Sequence, residues 1–235
     1  MRSLLVRVGA DQSPGGGNWN GPVDSITNEF AYVAIPEKHP VGVGLEKPYA
    51  ALTPVLSKFG VTMPDHLFGR TMHLDPDFSH LTYGDQKERA KQLQNKLRRG
   101  DRLVFYSGLR DVHVDQLIYA IIGVITVDDF ILARDVPESL RNMNAHSRRV
   151  LAEGAEDIIV RGQRDFSGRL SLCIPIGEYR NRAYRVQPSL LETWGGLSVK
   201  DGYLQRSARL PEFRDPTRFF NWFESKEPAL ISANN

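Results

Sequence analysis

Residues 85–128 limit the fold of this chain more than any other stretch of its sequence. Residues 86–99 are almost all strong helix formers, and Gly100 follows at the position where helices commonly end. The apolar segments 103–106 and 117–127 come next and are rich in β-branched and aromatic residues, as buried strands are. This order predicts a helix that leads through a tight turn into two neighbouring strands.

The predicted helix has a narrow apolar face and a broad charged one. Asp85 precedes it and suits a cap, while Ala90, Leu93 and Leu97 recur at the spacing of one helix face. Its basic residues are typical of a solvated surface, and contact with phosphate is the alternative. If the protein binds a nucleotide, we expect Arg98 and Arg99 at the end of this helix, together with Arg148 and Arg149, to be its phosphate-binding residues.

Glycines interrupt both predicted strands, at Gly108 and Gly123. A glycine inside a strand usually marks a bulge, a barrel corner or the close approach of another group. The helix, the Gly-Asp turn, a strand ending in Tyr-Ser-Gly and a strand around Gly123 together resemble the centre of PUA-like modules of the EVE and ASCH type. That resemblance implies an α+β fold: a small PUA-like β-barrel with flanking helices and irregular insertions, of a kind that binds nucleic acid or modified bases.

A second resemblance spans more of the sequence. It is carried by short segments at 6–11, 17–24, 30–37, 80–85, 144–146 and 194–197. These segments resemble the third of the bacterial and phage families called nucleotide modification associated domains, which take their name from neighbouring DNA-base modification genes. The resemblance implies a setting of base modification or phage defence, and no defined reaction.

Length and composition are those of an ordinary globular protein. With 235 residues, of which 41% are hydrophobic and 25% charged, the chain can bury a substantial core. A formal net charge of +2 is too small to identify a nucleic-acid binder by itself.

Cys173 is the one cysteine, which excludes internal disulfides and favours a reducing cytoplasm. No apolar run approaches the ~20 residues of a membrane span, so we expect a cytoplasmic protein with no membrane partner.

The sequence is most simply interpreted as a single domain over residues 1–235. We expect a barrel core at about 1–35 and 80–180, an irregular insertion at 36–79 and an extension at 181–235. Further strands are predicted at 4–8, 30–35, 156–160 and 169–174, and further helices at 51–59, 137–153, 188–191 and 215–223. The tail after residue 227 is predicted to be loose.

The glycine-rich loop at 11–23 carries the functional groups that best suit a nucleobase. Trp19 offers a stacking face, and Asn18 and Asn20 can donate and accept hydrogen bonds, as a base edge requires. The alternative is structural, with turn geometry supplied by asparagine and glycine and with Trp19 as a plug at the barrel end. Tyr83 and Tyr106 would complete an aromatic pocket.

A cluster of histidines and aspartates at 73–85 is the second candidate site. The spacing of His73, Asp75 and His80 could suit a metal ion, yet it matches no compact metal motif and no cysteine assists. Asp75, which precedes a proline, is more simply a turn residue. The sequence therefore predicts no bound metal and no cofactor.

The predicted helix at 137–153 supplies the third candidate site. His146 could act as a general acid or base because the reference pKa of histidine is near neutrality, although a lone histidine is more often packed or solvated. The family resemblance raises the weight of Asn144 and His146. If the protein is an enzyme, we expect Asp11 and His146 to be its catalytic residues.

Three functions are compatible with these patterns. The first, which we prefer, is a reader of a modified or flipped base or nucleotide, whether free or in DNA. Its ligand-binding residues would be Asn18, Trp19, Asn20, Tyr83, Tyr106 and Asn144. The second is an enzyme that acts on a nucleobase or nucleotide in the same pocket. The third is an interaction protein that docks a partner through the aromatic helix at 215–223, although such residues more often anchor a helix to its own domain.

Overall fold

The fold combines a mixed β-sheet with several helices. A computed structural model describes residues 1–205 and 209–235. Its strands are β1 (Ser3–Arg7), β2 (Pro22–Val23), β3 (Ile35–Pro36), β4 (Met72–His73), β5 (Thr82–Asp85), β6 (Arg102–Asp111), β7 (Leu117–Leu132), β8 (Ile158–Gly162), β9 (Gly168–Pro175), β10 (Gly177–Arg180), β11 (Ala183–Val186) and β12 (Leu230–Ile231). Its α-helices are α1 (Thr53–Lys58), α2 (Asp65–Phe68), α3 (Lys87–Lys96), α4 (Ala145–Arg148), α5 (Pro188–Trp194) and α6 (Pro216–Glu224). Short 3₁₀ helices lie at Tyr49–Leu52, Ala133–Asp135, Glu138–Met143, Arg164–Phe166 and Lys200–Gly202.

The long strand β7 is the centre of the main sheet. β6 pairs with it antiparallel along one edge, and β1 pairs parallel with β6. Along its other edge, β9 pairs with the first part of β7 and β8 with the last part, both antiparallel. β5 continues the sheet beyond β8, while β2 lies beside β6 and β12 beside β9. The order is therefore β1-β6-β7-β8-β5, with its two ends unpaired to one another in the part of the chain described.

The sheet does not close into a barrel over residues 1–205 and 209–235. The α+β class predicted from the sequence is confirmed, but the PUA-like barrel is not. Among the described residues the two end strands, β1 and β5, do not pair with each other, and the last residues of β7 pair with β8 alone.

Gly123 marks a close approach within β7. The register between β7 and β9 shifts between Ile121 and Gly123, as it does at a bulge. A Cβ atom built on Gly123 would lie only 2.5 Å from the ring of Phe78, so a side chain at this position would collide with the core. The prediction of a bulge or close approach at Gly123 is confirmed.

The charged helix is confirmed as α3, but Asp85 does not cap it. Asp85 is the last residue of β5, and the residue at the helix cap is Gln86, with no side-chain bond to the first turn. The Asp85 side chain instead bonds the hydroxyl of Tyr83 at 2.6 Å and the guanidinium of Arg89 at 2.9 Å. Because these two side chains engage its carboxylate, Asp85 does not act as the helix cap that its position in the sequence suggested.

The predicted helix at 137–153 is wrong over most of its length. The chain forms a 3₁₀ helix at Glu138–Met143 and a single α-helical turn at α4, and Asn144 between them is extended, with φ −154° and ψ 155°. Asn144 is held out of the helix by side-chain bonds to Asp75 and Thr82. Tertiary contacts thus override the helix propensity of this segment.

Two further expectations are corrected by the structure. The predicted strand at 30–35 is only the two-residue β3, although Phe30 and the residues up to 34 are buried. The tail after residue 227 is not loose: β12 pairs with β9, and the side chain of Asn235 bonds both the N–H and the C=O of Tyr32.

Two short ladders bring distant parts of the chain to one place. β3 pairs with β4, which sets Ile35 opposite His73 and therefore brings Glu37 to the same edge. β5 pairs with β8, which sets Gly84 opposite Ile159 and brings Asp157 nearby. An isolated bridge between Asp77 and Thr82 closes the turn between β4 and β5. Glu37, Asp75 and Gly84 consequently line one cleft together with His146, to which Asp157 is bonded.

Candidate functional site

A cleft of about 280 Å³ lies between the carboxyl end of β1, the β3–β4 ladder and β5. Its lining includes imidazole, carboxylate, guanidinium and ammonium groups, as well as the backbone of the glycine-rich loop at Gly15. The polar side chains of this lining that matter to its chemistry are Glu37, Lys38, His73, Asp75, Asp85, Arg89, His146 and Arg149. A concave site with converging titratable groups is the usual form of an active site.

His73 is oriented by Glu37. Its Nδ1 lies 2.6 Å from Oε2 of Glu37, a distance that requires a proton between the two atoms. Burial lowers the pKa of His73 to about 4, so the imidazole is neutral at physiological pH, and Nδ1 holds its one proton. The other ring nitrogen, Nε2, is then an electron-pair donor.

His146 is oriented in the same way by a different carboxylate. Its Nδ1 lies 2.6 Å from Oδ2 of Asp157, and its ring meets that of His73 edge to face, with 5.0 Å between centroids. Oδ1 of Asn144 accepts a hydrogen bond from the backbone N–H of His146 at 2.9 Å and fixes the start of α4. The two histidines therefore stand side by side, each with Nδ1 bonded to an acid.

Asp75 lies between these histidines and the backbone of β5. Its Oδ1 accepts hydrogen bonds of 2.8 Å from the N–H of Gly84 and from Nδ2 of Asn144. Its Oδ2 lies 3.8 Å from Nε2 of His146. Burial raises the pKa of Asp75 to about 6, although these bonds oppose the shift, because a buried carboxylate is poorly solvated.

Gly84 permits the close packing of this group. A Cβ atom built on Gly84 would lie 2.3 Å from Cδ2 of His146 and 2.7 Å from Oδ1 of Asn144. Any side chain here would therefore displace both residues. The absence of a side chain is what allows α4 to approach β5.

Arg149 connects the acids that hold the two histidines. Its guanidinium bonds Glu37 at 3.0 Å and lies 3.5 Å from Oδ2 of Asp157. Bonds from His73 and Arg149 hold the pKa of Glu37 well below its usual range in spite of burial. Arg149 thus keeps both carboxylates ionised and in place.

A second polar network lies at the rim. The hydroxyl of Tyr83 donates to Asp85 at 2.6 Å and accepts from Arg89 at 2.9 Å. Burial raises the pKa of Tyr83 well above its usual value, so its hydroxyl remains protonated. Because Tyr83 is 3% exposed and packs on Phe105, its ring is part of the wall rather than an open stacking surface.

The loop residues predicted to bind a base do not line this cleft as a group. Asp11 holds the loop together, since its Oδ1 accepts a 2.9 Å bond from the N–H of Ser13 and also contacts the Ser13 hydroxyl. Asn18 is exposed, and Trp19 is half-buried against the hydrophobic core. Nδ2 of the buried Asn20 donates to the carbonyl of Gly108 at 2.8 Å.

The other predicted residues are dispersed as well. The buried Tyr106 donates its hydroxyl to the carbonyl of Leu204 at 2.7 Å. Arg98 bonds backbone carbonyls at the end of α3, and Arg99 pairs with Asp128 at the surface. Arg148 is buried in an ion pair with Asp77. Of the predicted site residues, Tyr83, His146 and Arg149 line the cleft, and Asn144 bonds two of its lining residues, Asp75 and His146.

Several important residues were missed by sequence reasoning or given another role. Glu37 and Asp157 carry no local signal, because each acquires its partner only through strand pairing. His73 and Asp75 were recognised as a cluster, but their partner His146 is 71 residues beyond Asp75 in the chain and was assigned to another site. Only a knowledge of the fold could have joined them.

The fold and site together define an α+β protein with a polar cleft built around buried histidines and carboxylates. A family model described as nucleotide modification associated domain 3 matches residues 2–225. The chain therefore belongs to this family, as the sequence resemblance suggested. No curated protein and no solved structure matches the chain. Within the described residues no helix is both long and apolar enough to cross a membrane.

Proposed function

We propose that this protein is an enzyme that acts on a nucleobase or nucleotide bound in the cleft. The observation that carries the proposal is the convergence of His73, Asp75 and His146 in one buried cluster that opens to the cleft. Strongly perturbed titratable groups in a cleft are typical of active sites. The family description supplies the nucleotide context and is compatible with DNA-base modification.

The hydrogen bonds and burial of the predicted ligand-binding side chains favour an enzyme over the reader that the sequence patterns favour. A reader needs an open aromatic face and free amides for the base edge. Asn144 instead uses its amide to hold His146, Asp75 and Thr82, and Tyr83 is buried in the wall. These groups support a reacting centre better than a stacked slot.

The rim offers a position for the phosphate of a nucleotide. Lys38 is exposed at the cleft, and its Nζ would lie 3.1 Å from a Cβ atom built on Gly15. It therefore stands over the glycine-rich loop, where a ligand can approach the backbone closely. An ammonium group at this place suits an anionic substituent of the ligand.

The proposal is tested with deoxynucleoside monophosphates, deoxynucleoside triphosphates and single-stranded DNA as ligands. We expect binding of at least one of them, and Lys38→Ala should weaken that binding by about tenfold because a charge-assisted bond is lost. Binding is measured by calorimetry and conversion by mass spectrometry of the ligand. Lys91→Ala is the matched control, since Lys91 pairs with Glu88 on the exposed face of α3 and should leave binding unchanged.

Asp75→Asn separates the enzyme from the reader. The substitution keeps the shape of the side chain, so an enzyme should still bind its ligand but lose conversion by about a hundredfold or more. Binding without any conversion by the unmodified protein would favour the reader. If none of these ligands is bound or converted, the proposed function is wrong.

A further inference from the structure

We propose that His73, Asp75 and His146 bind a divalent transition-metal ion at the base of the cleft. The inference deepens the proposed function, because it names the reacting centre of the same site. It departs from the sequence analysis, which considered His73, Asp75 and His80, found no compact metal motif in their spacing, and predicted no metal.

The three side chains have the required proximity. Each offers one ligand atom, and these atoms all lie within 4.8 Å of one another. Two ligand atoms bound tetrahedrally to one ion at about 2.1 Å lie about 3.4 Å apart, so the side chains need to close by up to about 1.4 Å.

Each ligand is oriented by a partner that leaves the correct atom available. Glu37 bonds Nδ1 of His73 and Asp157 bonds Nδ1 of His146, each at 2.6 Å, so both imidazoles present Nε2. A carboxylate on the second nitrogen is the usual support of a metal-binding histidine, because it fixes the tautomer and the ring orientation.

Asp75 is supported on one oxygen in a comparable way. Gly84 and Asn144 donate to its Oδ1, each at 2.8 Å, while Oδ2 faces the imidazole of His146. The same Asn144 caps the turn that carries His146, so one amide positions two of the proposed ligands. This degree of organisation exceeds what a buried histidine needs for packing alone.

The charges of the cluster favour a cation. The carboxylates of Glu37, Asp75 and Asp157 lie together with the guanidinium of Arg149. These three acids outnumber the one guanidinium, so the cluster has an excess of acidic groups. A divalent cation would balance this excess.

The ligand set suggests the kind of ion. Two imidazoles and one carboxylate suit Zn²⁺, Fe²⁺, Mn²⁺ or Co²⁺ better than Mg²⁺ or Ca²⁺, which prefer oxygen ligands. A set of three protein ligands leaves positions open toward the cleft for water or substrate. An ion here would polarise an oxygen bound to it.

The test uses the full chain, free of any histidine tag and stripped with a chelator. Calorimetric titration with Zn²⁺, Mn²⁺ and Co²⁺, and metal analysis after desalting, should show one ion per chain for at least one of them. Bound Co²⁺ should also give the visible absorption bands of a low-symmetry site with nitrogen ligands. Absence of stoichiometric binding by the unmodified protein overturns the proposal, whatever the variants do.

Variants locate the ion. His73→Asn and Asp75→Asn should weaken binding by at least about a hundredfold, and Asp157→Asn by about ten- to a hundredfold through the orientation of His146. His113→Asn is the matched control, since His113 is a surface histidine bonded to Asp24 and should bind the ion normally. Equal binding by all four folded variants, checked by circular dichroism, would place the ion elsewhere and overturn the proposal.

The outcome can be separated from that of the proposed function. An ion bound at these residues by a protein that neither binds nor converts nucleotides would leave the metal site standing without the proposed function. Conversion that persists in the stripped protein, with no stoichiometric ion, would leave the enzyme standing without the metal.

Discussion

At Gly84 the backbone of β5 passes so close to the His146 ring that no other residue fits without displacement. The Cβ atom of an alanine would come within 2.3 Å of Cδ2 of His146, and both partners are held by hydrogen bonds to Asp75 or Asp157. Neither side of the contact is the mobile end of a flexible chain. The site and the stability of the fold are therefore coupled at this residue.

Gly84→Ala should lower the free energy of unfolding by about 1–3 kcal/mol, because overpacking forces the backbone or the imidazole to move. Urea denaturation measures the change. The same substitution should reduce any activity of the cleft, since His146 is displaced from Asp75.

Gly69→Ala is the control for this prediction. Gly69 ends α2 with a φ of −87°, and no atom lies within 4 Å of a Cβ built on it. Alanine should be neutral there or stabilising by about 0.4–1 kcal/mol. Equal effects at Gly69 and Gly84 would show that the contact with His146 is not tight.

Among the elements, α6 shows where the aromatic residues of the extension are used. Phe219, Phe220 and Phe223 are all buried against the chain itself, and Phe219 lies 3.9 Å from Phe213 and 5.1 Å from Trp194 between ring centroids. Asp215 caps the helix through a bond to the N–H of Arg218. The apolar face of α6 therefore packs on its own domain, which weakens the interpretation of this helix as a docking element.

Phe219→Ala should lower the free energy of unfolding by about 3–5 kcal/mol, because it leaves a cavity in this aromatic cluster. Thermal and urea denaturation measure the loss. Asn221→Ala, on the exposed face of the same helix, should change stability by less than about 0.5 kcal/mol. A protein that tolerates the loss of Phe219 as well as that of Asn221 would show that α6 is not anchored to the core.

The elements that the sequence predicted correctly are those with strong local signals. The helix α3 and the strands β6, β7 and β9 follow from periodicity and from β-branched composition, which depend on neighbouring residues alone. The segment at 137–153 failed because Asn144 is drawn to Asp75 and Thr82, which are distant in sequence. Likewise, residues 30–34 are apolar and buried but are not part of a strand ladder, and burial alone does not make a strand.

The candidate site was harder to predict for the same reason. His146 and Asn144 could be identified through the family resemblance, and His73 with Asp75 through their spacing. Their convergence depends on the pairing of β3 with β4 and of β5 with β8, and neither ladder was predicted. A site assembled from separate ladders leaves no motif in the sequence.

At the scale of the whole molecule, the reactivity of the Cys173 thiol depends on whether the core is folded. Its side chain is buried within β9, and burial raises the pKa of the thiol to about 12. The sheet must therefore open before a reagent can reach the sulfur or water can solvate the thiolate.

The thiol of Cys173 should react with a disulfide reagent at pH 8.5 roughly a thousandfold more slowly in the native protein than in denaturant. The reason is that about half of an ordinary thiol is ionised at this pH, while a pKa near 12 leaves only a minute fraction as thiolate. The release of a coloured thiolate from the reagent measures the rate. Rapid stoichiometric reaction of the native protein would contradict the buried position.

The cleft draws its groups from widely separated positions: its lining runs from Arg7 to Arg149, and Asp157, which bonds His146, comes later still. A ribosome must therefore synthesise β8 and release it from the exit tunnel before β5 has its partner and His146 has its carboxylate. Until then a nascent chain carries both histidines without the means to hold them side by side. The side chains of the site are therefore all held in place only after β8 has been made.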